Sequence, residues 1–190
     1  EEQKDYLSGV DAAVGDGDHG VSMARGFREA GRKLAALPDD VEPSQMLKAM
    51  GMAITASAGG ATGPLFGTVF LKASSAVAGK DELGPKDFAG ILEAALAGVQ
   101  GRGGAQVGDR TMVDALQPAA DGARVAAAQG MDVRGVLAEA VEGAASGVEA
   151  TKMMVAKTGK SAYLGERALG HQDPGATSVH VILRALYESL

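Results

Sequence analysis

Val133-Arg-Gly-Val-Leu-Ala-Glu-Ala-Val-Glu-Gly-Ala-Ala-Ser-Gly-Val148 places apolar or small residues at Val133, Val136, Leu137, Ala140, Val141, Ala144, Ala145 and Val148. That spacing of three and four puts them on one face of a helix, with Arg134, Glu139 and Glu142 left for the others. The helical pattern runs on towards Lys157. Working outward, Met23, Phe27, Ala30, Leu34 and Leu37 repeat it, as do Phe88, Ile91, Leu92, Ala95, Leu96 and Val99. Val179, Ile182, Leu183, Leu186 and Leu190 form the last such stripe. Less regular stretches over Pro43 to Ser57, Gly63 to Ala78 and Thr111 to Gln129 bring the number of predicted helices to seven, and no segment reads as a strand. Pro43, Pro85 and Pro174 sit at first helical turns, where a missing N–H costs little. Pro118 lies inside its helix and is expected to kink or split it. The sequence therefore predicts one all-α domain over residues 1–190.

Composition narrows the function. Hydrophobic residues make up 46% of the chain, enough for one good core, while aromatics are only 4% and glycines number 28, so that core has to be built from small side chains in close contact. A net charge of -6 argues against a nucleic-acid or anionic-membrane partner. With no cysteine there is neither a disulfide framework nor a thiolate metal site, and the cytoplasm is the expected compartment.

The joints between helices carry the chemistry. Asp11-Ala-Ala-Val-Gly-Asp16-Gly-Asp18-His19 crowds three carboxylates onto a short glycine-containing stretch. Their mutual repulsion is relieved best by divalent ions, and Mg2+ held for a phosphate substrate is the expected occupant; a solvated acidic turn is the alternative. Gly15 to Gly20 also spells G-x-G-x-x-G, but no strand precedes it, as a dinucleotide fingerprint requires. An EF-hand beginning at Asp16 fails because Gly20 and Phe27 fall at ligand positions. Gly59-Gly60-Ala61-Thr62-Gly63-Pro64 offers unobstructed backbone N–H groups at a helix start, a phosphate-loop pattern. Arg102 to Asp109 and Gly170 to Gly175 precede two further helices. Four such joints at one end of a bundle would surround a nucleotide phosphate chain.

Asp11 to Gly20, Gly59 to Gly67, Gly108-Asp-Arg-Thr-Met112, Ser161-Ala-Tyr-Leu-Gly-Glu-Arg167 and Gly170 to Ser178 resemble the L subunit of bacterial dihydroxyacetone kinase, in the family's order from Asp11 to Leu190. The resemblance implies a barrel of eight antiparallel amphipathic helices with the nucleotide at one end, so the leading helix is unaccounted for among the seven. It also implies roles. Asp11, Asp16 and Asp18 would hold two Mg2+ ions; His19, Gly20, Ser22, Ala61 and Thr62 would line the phosphates of ADP or ATP. Gly103 and Met112 would border the adenosine, Lys160 would supply a cation, and Asp173, Pro174 and Gly175 would close the site. Core packing for Met112, solvated charge for Lys160 and helix capping for Asp173 are the alternatives. His19 reads as a phosphate contact rather than a phosphohistidine. By resemblance, a separate K subunit holds dihydroxyacetone and a phosphotransferase-system M subunit recharges the retained ADP. The other readings are the nucleotide domain of an ATP-dependent short-ketose kinase and a nucleotide-sensing regulatory module.

Overall fold

The apolar stripes fold as helices. The structure, a computed structural model, describes residues 1–190 apart from the side chain of Lys160. Among the described residues there are eight α-helices and no strand: α1 (Lys4–Ala12), α2 (His19–Leu34), α3 (Pro43–Ser57), α4 (Thr62–Ala76), α5 (Pro85–Gly103), α6 (Val113–Ala128), α7 (Val133–Thr151) and α8 (Pro174–Glu188). A 3-10 segment, Lys160–Ala168, broken at Gly165, lies between α7 and α8. Each helix packs on the next in sequence and α8 returns to α1, which closes the ring. No described helix is long and apolar enough to cross a membrane.

The helix that the sequence pattern missed is α1, which buries only Leu7 and Asp11 and so shows no apolar stripe. Two other expectations are corrected. Of the two outcomes expected at Pro118, the split does not occur, since α6 runs from Val113 to Ala128 with Pro118 inside it. The helix from Val133 stops at Thr151 instead of continuing towards Lys157, and there the Thr151 hydroxyl donates to the Val148 carbonyl (2.6 Å) and accepts the Asp173 amide (3.0 Å), which ties the end of α7 to the start of α8. Pro43, Pro85 and Pro174 open α3, α5 and α8 as expected. Asp132 caps α7 through the Gly135 amide at 2.8 Å.

Small residues set how closely the ring packs. Ala115, Ala119 and Ala123 of α6 face Val136, Ala140 and Ala144 of α7 in the core, all fully buried. At Gly143 and Gly147 the two backbones touch: a methyl group at Gly147 would run into the carbonyl of Asp114, and one at Gly143 into that of Pro118. The Asp114 carbonyl is the one that Pro118, having no N–H, cannot serve. Phe27 of α2 and Phe70 of α4 meet edge-on at 5.8 Å, one of few aromatic contacts in a core made mostly of Ala, Val and Leu.

Gly147→Ala is expected to destabilise the protein by about 2 kcal/mol, because the obstruction is backbone and cannot rotate away. Gly90→Ala, in α5 with nothing within 4 Å of the added atom, is expected to stabilise it by about 0.5 kcal/mol. Urea denaturation midpoints of the two variants check the contrast.

Candidate functional site

Alternating helix direction brings the N-termini of α2, α4, α6 and α8 to one end of the ring. Between them is a cleft of about 190 Å³, lined by Asp18 and His19, Ala61 and Thr62, Thr111 and Met112, and Asp173, Pro174 and Gly175 in turn. Asp11, from the last turn of α1, and the Gly59-Gly60 loop complete the wall. Ala61, before α4, has no side-chain acceptor for the first amides of that helix, while at α6 the Val113 amide donates to Thr111 Oγ1 at 3.2 Å. Amide dipoles directed at one small volume make it favourable for an anion. A second hollow of about 350 Å³ adjoins it, lined by Leu65, Val99, Arg102, Gly103, Thr111 and Met112 among others. It is mostly apolar, a suitable seat for a flat ring.

Negative charge sits at the edge of this positive field. Asp11, Asp16 and Asp18 offer ligand oxygens that all lie within 4.8 Å of one another, with Asp11 buried and the other two exposed. Asp11 Oδ2 accepts the His19 amide at 3.1 Å, which fixes the end of α1 against the start of α2. Oxygen ligands opposite one another on a Mg2+ stand about 4.2 Å apart, so the cluster has the reach and the hard donors for that ion class. The His19 ring joins three helices: Nε2 is 2.7 Å from the Ser178 hydroxyl of α8, and Nδ1 is 3.3 Å from the Thr62 hydroxyl of α4.

Across the cleft, Asp173 caps α8, accepting the Ala176 amide at 2.8 Å. Burial pushes its carboxyl up to about 6, against the opposing pull of that amide and of the nearby Arg110. Burial likewise pushes the Arg110 guanidinium down, while Asp173 pulls it up. Asp109 is held below the ordinary carboxylate range, first by the Gln106 amide (2.8 Å) and then by Lys157, whose Nζ is 3.0 Å away.

The fold thus gathers Asp11, Asp16, Asp18, His19, Ala61, Thr62, Met112, Asp173, Pro174 and Gly175 in one place, with Gly103 in the adjoining hollow. Gly20 and Ser22 do not line the cleft. Gly20 lies where α2 crosses α1, with Lys4 O and Ser8 N occupying the space of a side chain, and the Ser22 hydroxyl lies against Gly59. The cation expected at Lys160 falls outside the described residues. Sequence reading gave no site role to Arg110, Ser178, Thr158, Gly159 or Ser161, all at or beside the cleft. Ser178, one turn into α8 from Pro174, could have been found from that spacing.

The model of the DAK2 domain matches residues 13–188. The chain belongs to the DAK2 family. Among its relatives is the PEP-dependent dihydroxyacetone kinase ADP-binding subunit DhaL of Escherichia coli, 40% identical over 97% of this chain and 87% of that one. The human triokinase/FMN cyclase is 33% identical over 98% of this chain but only 32% of its own length. Among solved structures, the dihydroxyacetone kinase from C. freundii in complex with AMP-PNP and Mg2+ superposes with a TM-score of 0.72 at 31% identity, over all of this chain and 31% of that one. The DAK2 chain therefore spans about a third of that kinase. Its relatives are kinases, or subunits of kinases, that act on an alcohol group, and the expected helical barrel is the fold they share with it.

Because the folded-state value of Asp173 lies above the ordinary 3.8, the folded protein holds this proton more tightly than the unfolded chain does. The stability so contributed is complete below pH 3.8 and lost as pH rises through about 6. Asp173→Asn keeps an oxygen for the cap and does not titrate. Its stability relative to the parent is therefore expected to rise across that window by about 3 kcal/mol, measured by denaturation at stepped pH without divalent ions.

Proposed function

We propose that this chain is the phosphoryl-transfer subunit of a dihydroxyacetone kinase. It would use Mg-bound ADP and ATP to pass phosphate from a phosphotransferase-system M subunit to dihydroxyacetone held on a separate K subunit. The observation that carries this reading is the convergence of four helix N-termini on a cleft edged by three carboxylates, which answers both halves of a metal–nucleotide complex. The name of the E. coli relative, an ADP-binding subunit, and the AMP-PNP and Mg2+ in the C. freundii structure support it.

Asp11, Asp16 and Asp18 would hold two Mg2+ ions, which when bound supply the positive charge that phosphoryl transfer needs. The amides at the starts of α2 and α4, with His19, Ala61 and Thr62, orient the phosphates so that the reacting oxygens stand in line. Gly103 and Met112 seat the base in the apolar hollow, Lys160 contributes a cation, and Asp173, Pro174 and Gly175 close the cleft. Rate then comes from positioning and charge neutralisation, with no covalent intermediate on the protein. The triokinase relatives favour a second reading, in which the nucleotide exchanges and ATP is the donor.

Asp16→Asn or Asp18→Asn is expected to weaken Mg-ADP binding about a hundredfold, read by calorimetry, without lowering stability in metal-free buffer. Mg2+ and ADP together should raise the melting temperature more than either alone, and EDTA should reverse the gain. The deciding experiment is phosphoryl transfer with a K-type subunit, comparing phosphoenolpyruvate plus the phosphotransferase proteins against ATP. The isolated chain should not phosphorylate free dihydroxyacetone, and efficient turnover by it alone would overturn the two-component reading.

A further inference from the structure

Residues 152–172 leave the ring after α7 and return at α8. On the way, Thr158, Gly159 and Ser161 form one wall of the cleft. Little apolar burial holds this excursion: Ala156 and Ala168 are its buried hydrophobic residues, while Met153 and Tyr163 are 84% and 89% exposed. Two alanines cannot offset the entropy of ordering a segment of this length. Its order has to come from polar contacts, and three of these come from one side chain.

Arg110 is 1% exposed. Its Nε donates to the Thr151 carbonyl at the end of α7 (3.2 Å), and its Nη2 donates to the carbonyls of Ala168 (3.2 Å) and His171 (2.8 Å). One guanidinium thus ties both feet of the excursion, beside the Gly170 amide bonded to Lys152 O at 2.8 Å. The outgoing limb has its own tether, Lys157, which gives its amide to Asp109 O (3.2 Å) and its ammonium to Asp109 Oδ1 (3.0 Å). Keeping Arg110 there is costly. Its φ of 61° makes it the one non-glycine residue with positive φ among those described, and its Nη1 is buried without a hydrogen-bond partner. The same residue precedes Thr111 and Met112, which line the opposite side of the cleft.

We propose that Arg110 is a positioning residue for the nucleotide, a clasp that fixes the wall at Thr158–Ser161 against the wall at Thr111–Met112 and so slows nucleotide release. This rests on the nucleotide reading above. It acts through the excursion and touches neither phosphate nor metal.

The test compares the parent chain with Arg110→Gly, which keeps the left-handed backbone without its strain but removes the clasp, and Arg110→Lys, which keeps the charge but puts every donor on one nitrogen in place of the planar fork that spans both feet. In ligand-free Arg110→Gly, amide exchange within 152–172 should quicken about tenfold while exchange in α3 to α5 stays as in the parent. Dissociation of Mg-ADP should also quicken about tenfold, with Mn2+ affinity in the absence of nucleotide unchanged. Arg110→Lys should fall between, and millimolar guanidinium should slow release from the glycine variant only. Unchanged exchange in 152–172, or unchanged ADP release, overturns the clasp alone. A parent chain that binds no Mg-ADP overturns the nucleotide reading and the clasp with it. Should Arg110→Gly not fold, Lys157→Met removes the exposed tether instead: faster ADP release at an unchanged melting temperature supports the clasp, and unchanged release overturns it.

Discussion

A closed ring with an even number of alternating helices has to place half of its helix N-termini at the same end. In this chain the constraint concentrates four sets of amide dipoles on one cleft. No side chain is needed to create that field, and it persists wherever the packing of the ring does. The ring in turn depends on close approach between neighbours, most visibly where the backbones of α6 and α7 touch at Gly143 and Gly147. A larger residue there would force two helices apart and, with them, two of the N-termini that converge on the cleft.

The acidic cluster answers that field with the opposite sign. Asp11 is buried and anchored to the His19 amide, whereas Asp16 and Asp18 remain open to solvent. One carboxylate is therefore buried against the start of α2 and two face solvent. On the other side of the cleft Asp173 and Arg110 are both buried, each moved by burial and each partly restored by the charge of the other. The cleft accordingly lies between two charge clusters that differ in kind, one accessible and one sealed.

What the sequence revealed follows from what is local. The helices α2, α5, α7 and α8 carry apolar stripes, and the three aspartates fall within eight residues, so both could be read directly. Helix α1 could not, because half of what it buries is a carboxylate, and burial of a charge leaves no trace in an apolar period. The 3-10 segment Lys160–Ala168 was equally hidden, since the bonds that hold its region come from Arg110, more than forty residues earlier. Ser178 reaches His19 over a separation of 159 residues, a pairing that only the closed ring creates.

Helix α1 has nine residues, too few to persist by itself in water. It is kept in place by contact with α2 and α8, by Arg28 on Glu1 and by Gln172 on Tyr6. A ligand that engages Asp11 and the start of α8 together would join residues 11 and 173 across nearly the whole chain. Binding the folded ring and not the unfolded chain, it would stabilise that closure by mass action, more strongly the higher its concentration. Occupancy of the cleft would then be felt as tension on the seam between the first and last helices, and the ring would be harder to unzip from its ends.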